Sequence, residues 1–192
     1  MNQPPERPRR ERGEEPGEKG RAGPEELDRD LFLRRMIREL TGVLEDVVGP
    51  KDAAGYIATV GSIVGEWLDA RYRATAGVTA FDVEGVARVL VDLKRRIDGG
   101  FFVREIHADR IVLGNTRCPF GEFVVGRPSL CMMTSNVFGR ITAENLGYAR
   151  VRLDATIAAG HPGCEVVVFL TREGLPDPED NEYFRVPRLD GT

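Results

Sequence analysis

The spacing of apolar residues changes period once along this chain, at Gly99-Gly100, and that change limits the folds available to it. Before the glycine pair, apolar residues recur every three or four positions, as on one side of a helix. After it they fall into short β-rich runs with tight links. Helices grouped ahead of strands argue against an alternating parallel α/β sheet and for an α+β domain.

The first helical run starts at Asp30 and carries Leu33, Met36, Ile37, Leu40, Val43, Leu44 and Val47 before Gly49-Pro50 stops it. A second helix, about 52–73, puts Ile57, Val60, Val64, Trp67 and Leu68 on one face. Gly61 and Gly65 sit four apart on it, where missing side-chain bulk allows either a close neighbouring backbone or room for a ligand. Gly61, Gly65 and Trp67, with Phe138 further on, are therefore candidate pocket residues. Thr79 and Asp82 resemble a capping box opening a third helix with Val83, Val86, Leu90, Leu93 and Ile97 on its apolar side.

Beyond Gly100, Phe101 to His107 and Arg110 to Gly114 read as a hairpin around Ala108-Asp109, followed by a loop from Thr116 to Pro128. Ser129 is a suitable N-cap for a helix from Leu130 to about Asn145, with Leu130, Met133, Val137 and Ile141 facing the core. Ala149, Val151, Leu153, Ala155 and Ile157 then alternate with polar residues, which predicts a strand with one wet face. Gly160-His161-Pro162-Gly163 leads into an apolar run, Cys164 to Leu170, expected to pair back on that strand. The expectation is three N-terminal helices, then a four-stranded antiparallel sheet of two hairpins with a helix between them.

The ends differ in character. Residues 1–27 hold five prolines among mixed charges and no aromatic, and read as a disordered tail. Residues 172–192 read as a flexible, proline-rich acidic tail, leaving 28–171 as one domain. A net charge of -4 supplies no broad positive field, so direct binding of nucleic acid is disfavoured. No apolar run is long enough to span a bilayer, and no secretion signal precedes Gly23, which together predict a cytoplasmic protein without membrane partners.

Three cysteines are an odd set for a disulfide framework and in a reducing compartment would be free, metal-bound or redox-active. Cys118, Cys131 and Cys164 fall at three element boundaries: after the second strand, in the first turn of the fourth helix, and at the turn before the last strand. Three sulfurs with His161, which stands in an H-x-x-C unit with Cys164, would complete a tetrahedral metal site. The spacing matches no standard zinc finger, and thiol redox sensing or plain burial account for the same residues. A helix N-terminus would lower the pKa of the Cys131 thiol, favouring ligation or oxidation. The enzymatic alternative uses Cys131 or Cys164 with His161, since the chain has only one other histidine, His107. Glu66 and Glu144 read as acids on solvated helix faces.

Cys118-Pro119-Phe120-Gly121, Ser129 to Thr134, Asn136 to Gly139, Asn145 to Ala149 and Ile157 to Cys164 together resemble the methanogen output domain. That family is in turn similar to 4-vinyl-reductase-type ligand-binding domains and to cysteine-bearing regions of some iron-sulfur regulators. The resemblance implies a non-enzymatic sensory or regulatory module of prokaryotic signal transduction, with a pocket between helices and sheet. It implies that Cys118, Cys131 and Cys164 hold a metal such as zinc, an iron-sulfur cluster or a small ligand. His161 departs from the acid usual in the last motif, exchanging an oxygen donor for a nitrogen. The implied partner is a signalling protein acting in trans. A homodimer is also a candidate, with Leu31 and Phe32 outward on the first helix and Leu33 and Met36 inward.

Overall fold

The computed structural model describes residues 28–173, 177 and 180–186; the stretch 1–27 read as a disordered tail lies outside them. Helix α1, Arg29–Val48, starts where the Asp28 carboxylate accepts the Leu31 N–H at 2.7 Å. Gly49, at φ 85°, turns the chain straight into α2, Pro50–Ala76, whose proline occupies a first-turn position that needs no N–H. Helix α3, Val83–Arg96, is capped by Asp82, which accepts the Gly85 N–H at 2.8 Å. Strands β1, Phe101–Ile106, and β2, Arg110–Asn115, form the first hairpin. Helix α4, Cys131–Leu146, then leads to β3, Tyr148–Ala155, and β4, Cys164–Phe169.

The α+β class and antiparallel pairing match expectation, but the sheet has five strands in the order β1-β2-β4-β3-β5. The fifth, β5, Asn181–Phe184, comes from the stretch read as a flexible tail and pairs with the free edge of β3. Tyr183 accounts for the docking: its ring is buried against Gly139 of α4, and its hydroxyl lies 3.0 Å from that of Ser135. The two hairpins join through β4, which pairs with both β2 and β3.

Helices α3 and α4 cover one face of the sheet, and α2 lies across α4. The central core gathers Val86, Leu90 and Leu93 of α3 and Val137, Phe138 and Ile141 of α4 onto Ile111, Leu113, Val151, Val166 and Val168 of the sheet. Each such side chain contributes roughly 1.5–3 kcal/mol when fully buried. Because α4 is flanked by both sheet and α2, Ser135 to Ala143 are buried without interruption. Gly61 and Gly65 make this possible: a Cβ on them would stand 2.8 Å from the Cβ of Asn136 and 2.9 Å from that of Arg140.

Four local expectations are corrected. Ser129 does not cap α4; it sits in a short 3-10 turn, Pro128–Leu130, and donates its hydroxyl to Glu45 of α1. The polar side of β3 is not fully wet, because Arg150 is buried, ion-paired to Asp180 at 3.0 Å and stacked on Phe169. Leu33, Met36, Leu40, Val43 and Val47 of α1 are exposed, as are Val60 and Trp67 of α2, so only part of the apolar face of either helix enters the core. The inward placement expected of Leu33 and Met36 is thereby reversed. Among the described residues, no helix is long and apolar enough to cross a membrane.

Candidate functional site

Cys118, Cys131 and Cys164, separated by up to 46 positions in sequence, line one cavity of about 30 Å³ between α4, the sheet and the loop after β2. Its other walls are mainly apolar, with Phe101, Leu130, Leu153 and Val166 prominent. Register places Cys164, first residue of β4, opposite Asn115, last residue of β2. Its sulfur lies 3.6 Å from Asn115 Nδ2 and 3.4 Å from the Ile157 N–H. Gly163 permits that approach, since a Cβ there would be 2.7 Å from the Asn115 carbonyl oxygen. Cys131 opens α4 near Thr156, and Cys118 begins a turn closed by the Gly121 N–H on its carbonyl at 2.9 Å.

Lys94 stands beside these thiols. It lies in the last turn of α3, is only 4% exposed, and donates from Nζ to Thr134 Oγ1 at 2.8 Å. The ammonium also sits 5.4 Å and 5.3 Å from the ring centroids of Phe101 and Phe138. Among the described residues no carboxylate forms an ion pair with it. Burial pushes its pKa down to about 8, with the three nearby thiols acting in the opposite direction.

Burial also pushes the Cys131 thiol up to about 11, reinforced by the charges Cys164 and Cys118 would carry, while Thr156 and Lys94 pull it back. Cys118 is raised, again chiefly by burial, against the Phe120 N–H and Lys94. The thiolate expected of Cys131 at a helix N-terminus is therefore overturned: desolvation outweighs the helix dipole. At neutral pH both groups are thiols, which are weak nucleophiles.

His161 is exposed in the turn before β4 and is not part of the cavity wall. Among the described residues, no group of three or more His, Cys, Asp and Glu side chains is placed to hold a metal ion. The three cysteines thus converge on one space without surrounding a common point together with His161. The candidate pocket residues part company as well. Gly61 and Gly65 serve the α2–α4 contact, and Trp67 lines an open groove of about 360 Å³ with Leu68, Tyr72 and Leu93. Phe138 is fully buried, its ring edge-on to Phe101 at 5.3 Å. His107 pairs with Glu105 at 2.9 Å on the surface, and Glu66 with Arg140 at 2.5 Å.

Sequence reasoning missed Lys94, Thr134 and Asn115. A signal for Lys94 was present: it falls four residues after Leu90 and three before Ile97, on the apolar side of its helix, where an unpaired cation is unusual.

A family model described as methanogen output domain 1 matches residues 36–169. Among solved structures, the crystal structure of a trafficking protein particle complex subunit 3 from Naegleria fowleri, covalently bound to palmitic acid, is similar, with a TM-score of 0.56 and 14% identity. The similarity covers 82% of this chain and 98% of that one, and at this identity it concerns the fold alone. No curated protein matches the sequence.

Proposed function

This chain belongs to the methanogen output domain 1 family, and on that premise we propose that it is a non-enzymatic sensory or output domain of prokaryotic signal transduction. Its sensing element is the cysteine cavity. The observation that carries this reading is the convergence of three thiols from separate elements on one apolar space beside the buried Lys94.

The ligand class that suits this space is a small, largely apolar molecule. As placed, the thiols do not fit a zinc ion or an iron-sulfur cluster, and about 30 Å³ has room for little more than one water. Anything larger must part α4 from the sheet, and α4 is backed directly by α2. Ligand entry would then reach the outer helices, from which a partner in trans could read it. An apolar ligand also accords with the similar structure bound to palmitic acid and with the resemblance to 4-vinyl-reductase-type ligand-binding domains. Against the enzymatic alternative stand the raised pKa values of Cys118 and Cys131 and the exposed position of His161.

The test is to purify the protein anaerobically, quantify metal and acid-labile sulfide, and follow alkylation of each cysteine by mass spectrometry. The sensory reading expects neither metal nor sulfide in stoichiometric amount. It also expects slow labelling of Cys118 and Cys131 that becomes fast on denaturation. Stoichiometric zinc or sulfide would replace the apolar-ligand reading with a metal one at the same cysteines. A single thiol labelling about 100-fold faster than the others would favour the enzyme.

A further inference from the structure

The exposed faces of α1 and α2 carry the same spacing. On α1, Met36, Leu40, Val43 and Val47 follow one another at intervals of four, three and four; on α2, so do Tyr56, Val60, Ile63 and Trp67. All eight are 39–75% exposed. Steps of four and three residues keep apolar side chains in one stripe along a helix, able to pack against another helix, and two such stripes lie on adjacent helices joined by Gly49-Pro50. Together they leave on the order of 700 Å² of apolar surface, above the range of largest patches on typical monomers.

We propose that this surface is the interface of a homodimer, in which the α1–α2 hairpins of two copies form a four-helix bundle. The segment before α1 is unsuited to cover it, since residues 1–27 offer only Met1, Ala22 and Leu27 as apolar side chains besides prolines. A second copy is suited in both area and pattern. Twice 700 Å² gives roughly 1,400 Å², within the 1,200–2,000 Å² of a standard stable interface. The matching seams on an antiparallel helix pair can meet their own copies about a twofold axis, with knobs of each hairpin entering holes of the other. Charged residues sit beside the seam: Arg35 and Glu39 are bridged at 2.7 Å on α1, and Glu66 and Arg71 are exposed on α2, which gives the polar rim that such interfaces have. The inference is independent of what enters the cysteine cavity.

Sedimentation equilibrium of the full chain between about 1 and 100 µM tests it. A dimer is expected, and Leu40→Glu or Ile63→Glu should each weaken association at least 100-fold while retaining helical circular dichroism. Ile106→Glu, at the far end of β1, should leave the dimer intact. Trp67 gives a readout without mutation, because it is the only tryptophan and is 57% exposed in the single chain. Its emission should shift to the blue as concentration rises. A monomer at 100 µM with no shift in emission, or a dimer that both glutamate variants leave unchanged, overturns the proposal.

Discussion

Lys94 is a buried cation set among aromatic rings and thiols, with no carboxylate ion-paired to it among the described residues. An ordinary lysine keeps its proton to about pH 10.4, whereas buried Lys94 releases it at about 8. Between those values the unfolded chain binds more protons than the folded one, so stability rises with pH through that window. The full difference is about 3 kcal/mol. The raised thiols act oppositely above about pH 9, where an unfolded cysteine ionises and Cys131 does not. Thermal unfolding should therefore move to higher temperature between pH 7.5 and 9, and Lys94→Met should abolish that rise. At pH 7 the variant should be as stable as the parent or more so, by up to about 3 kcal/mol, because it removes a buried charge without a carboxylate partner. A variant less stable at pH 7 that kept the pH-dependent rise would contradict this account of the site. In the sequence, Lys94 is set apart from the neighbouring basic residues only by its place on the apolar side of the helix. What isolates it is the pair of rings, Phe101 and Phe138, against its ammonium, the second of them 44 positions away in the chain.

At the scale of elements, α4 and β5 depend on each other. Gly139 leaves the space that Tyr183 fills: a Cβ at 139 would lie 2.0 Å from the tyrosine ring. Gly139→Ala should displace β5 while keeping the rest of the sheet. Amide exchange would then show loss of protection at 181–184 and retention in β2 and β4. Legibility followed periodicity. Helices α1 to α4 and strands β1 to β4 were readable because each carries a sustained pattern and recognisable stop signals, as at Gly49-Pro50 and Gly99-Gly100. Strand β5 was not, since four residues among prolines and acids have no pattern of their own and are ordered by Tyr183 and by the free edge of β3. The cysteines were found by residue type and boundary position, but their partners Asn115 and Lys94 follow from register and helix packing, which one sequence does not encode locally. The same limit explains α1: regular apolar spacing marks a helix face but does not say how much of that face the rest of the chain covers.

For the whole molecule, the layering of sheet, α3 with α4, and outer helices makes the last strand more than an ornament. Truncation after Thr171 would uncover the edge of β3, remove the Tyr183 contact and take Asp180 from buried Arg150. Chemical denaturation should register a loss of about 3 kcal/mol or more, with aggregation increased by the open strand edge. Unchanged stability would mean that β5 adds nothing to the sheet.

The central position of β4 has a further meaning for the protein while it is being made. Strands β2 and β3 both pair with this element and both precede it in the chain, so the sheet cannot close until residues 164–169 have left the ribosome. Until then the loop holding Cys118 and the first turn of α4 holding Cys131 lack the wall that Cys164 completes. Until Cys164 emerges these thiols are open to whatever metals, oxidants and acyl donors the cell contains, and their seclusion waits on the strand that closes the sheet.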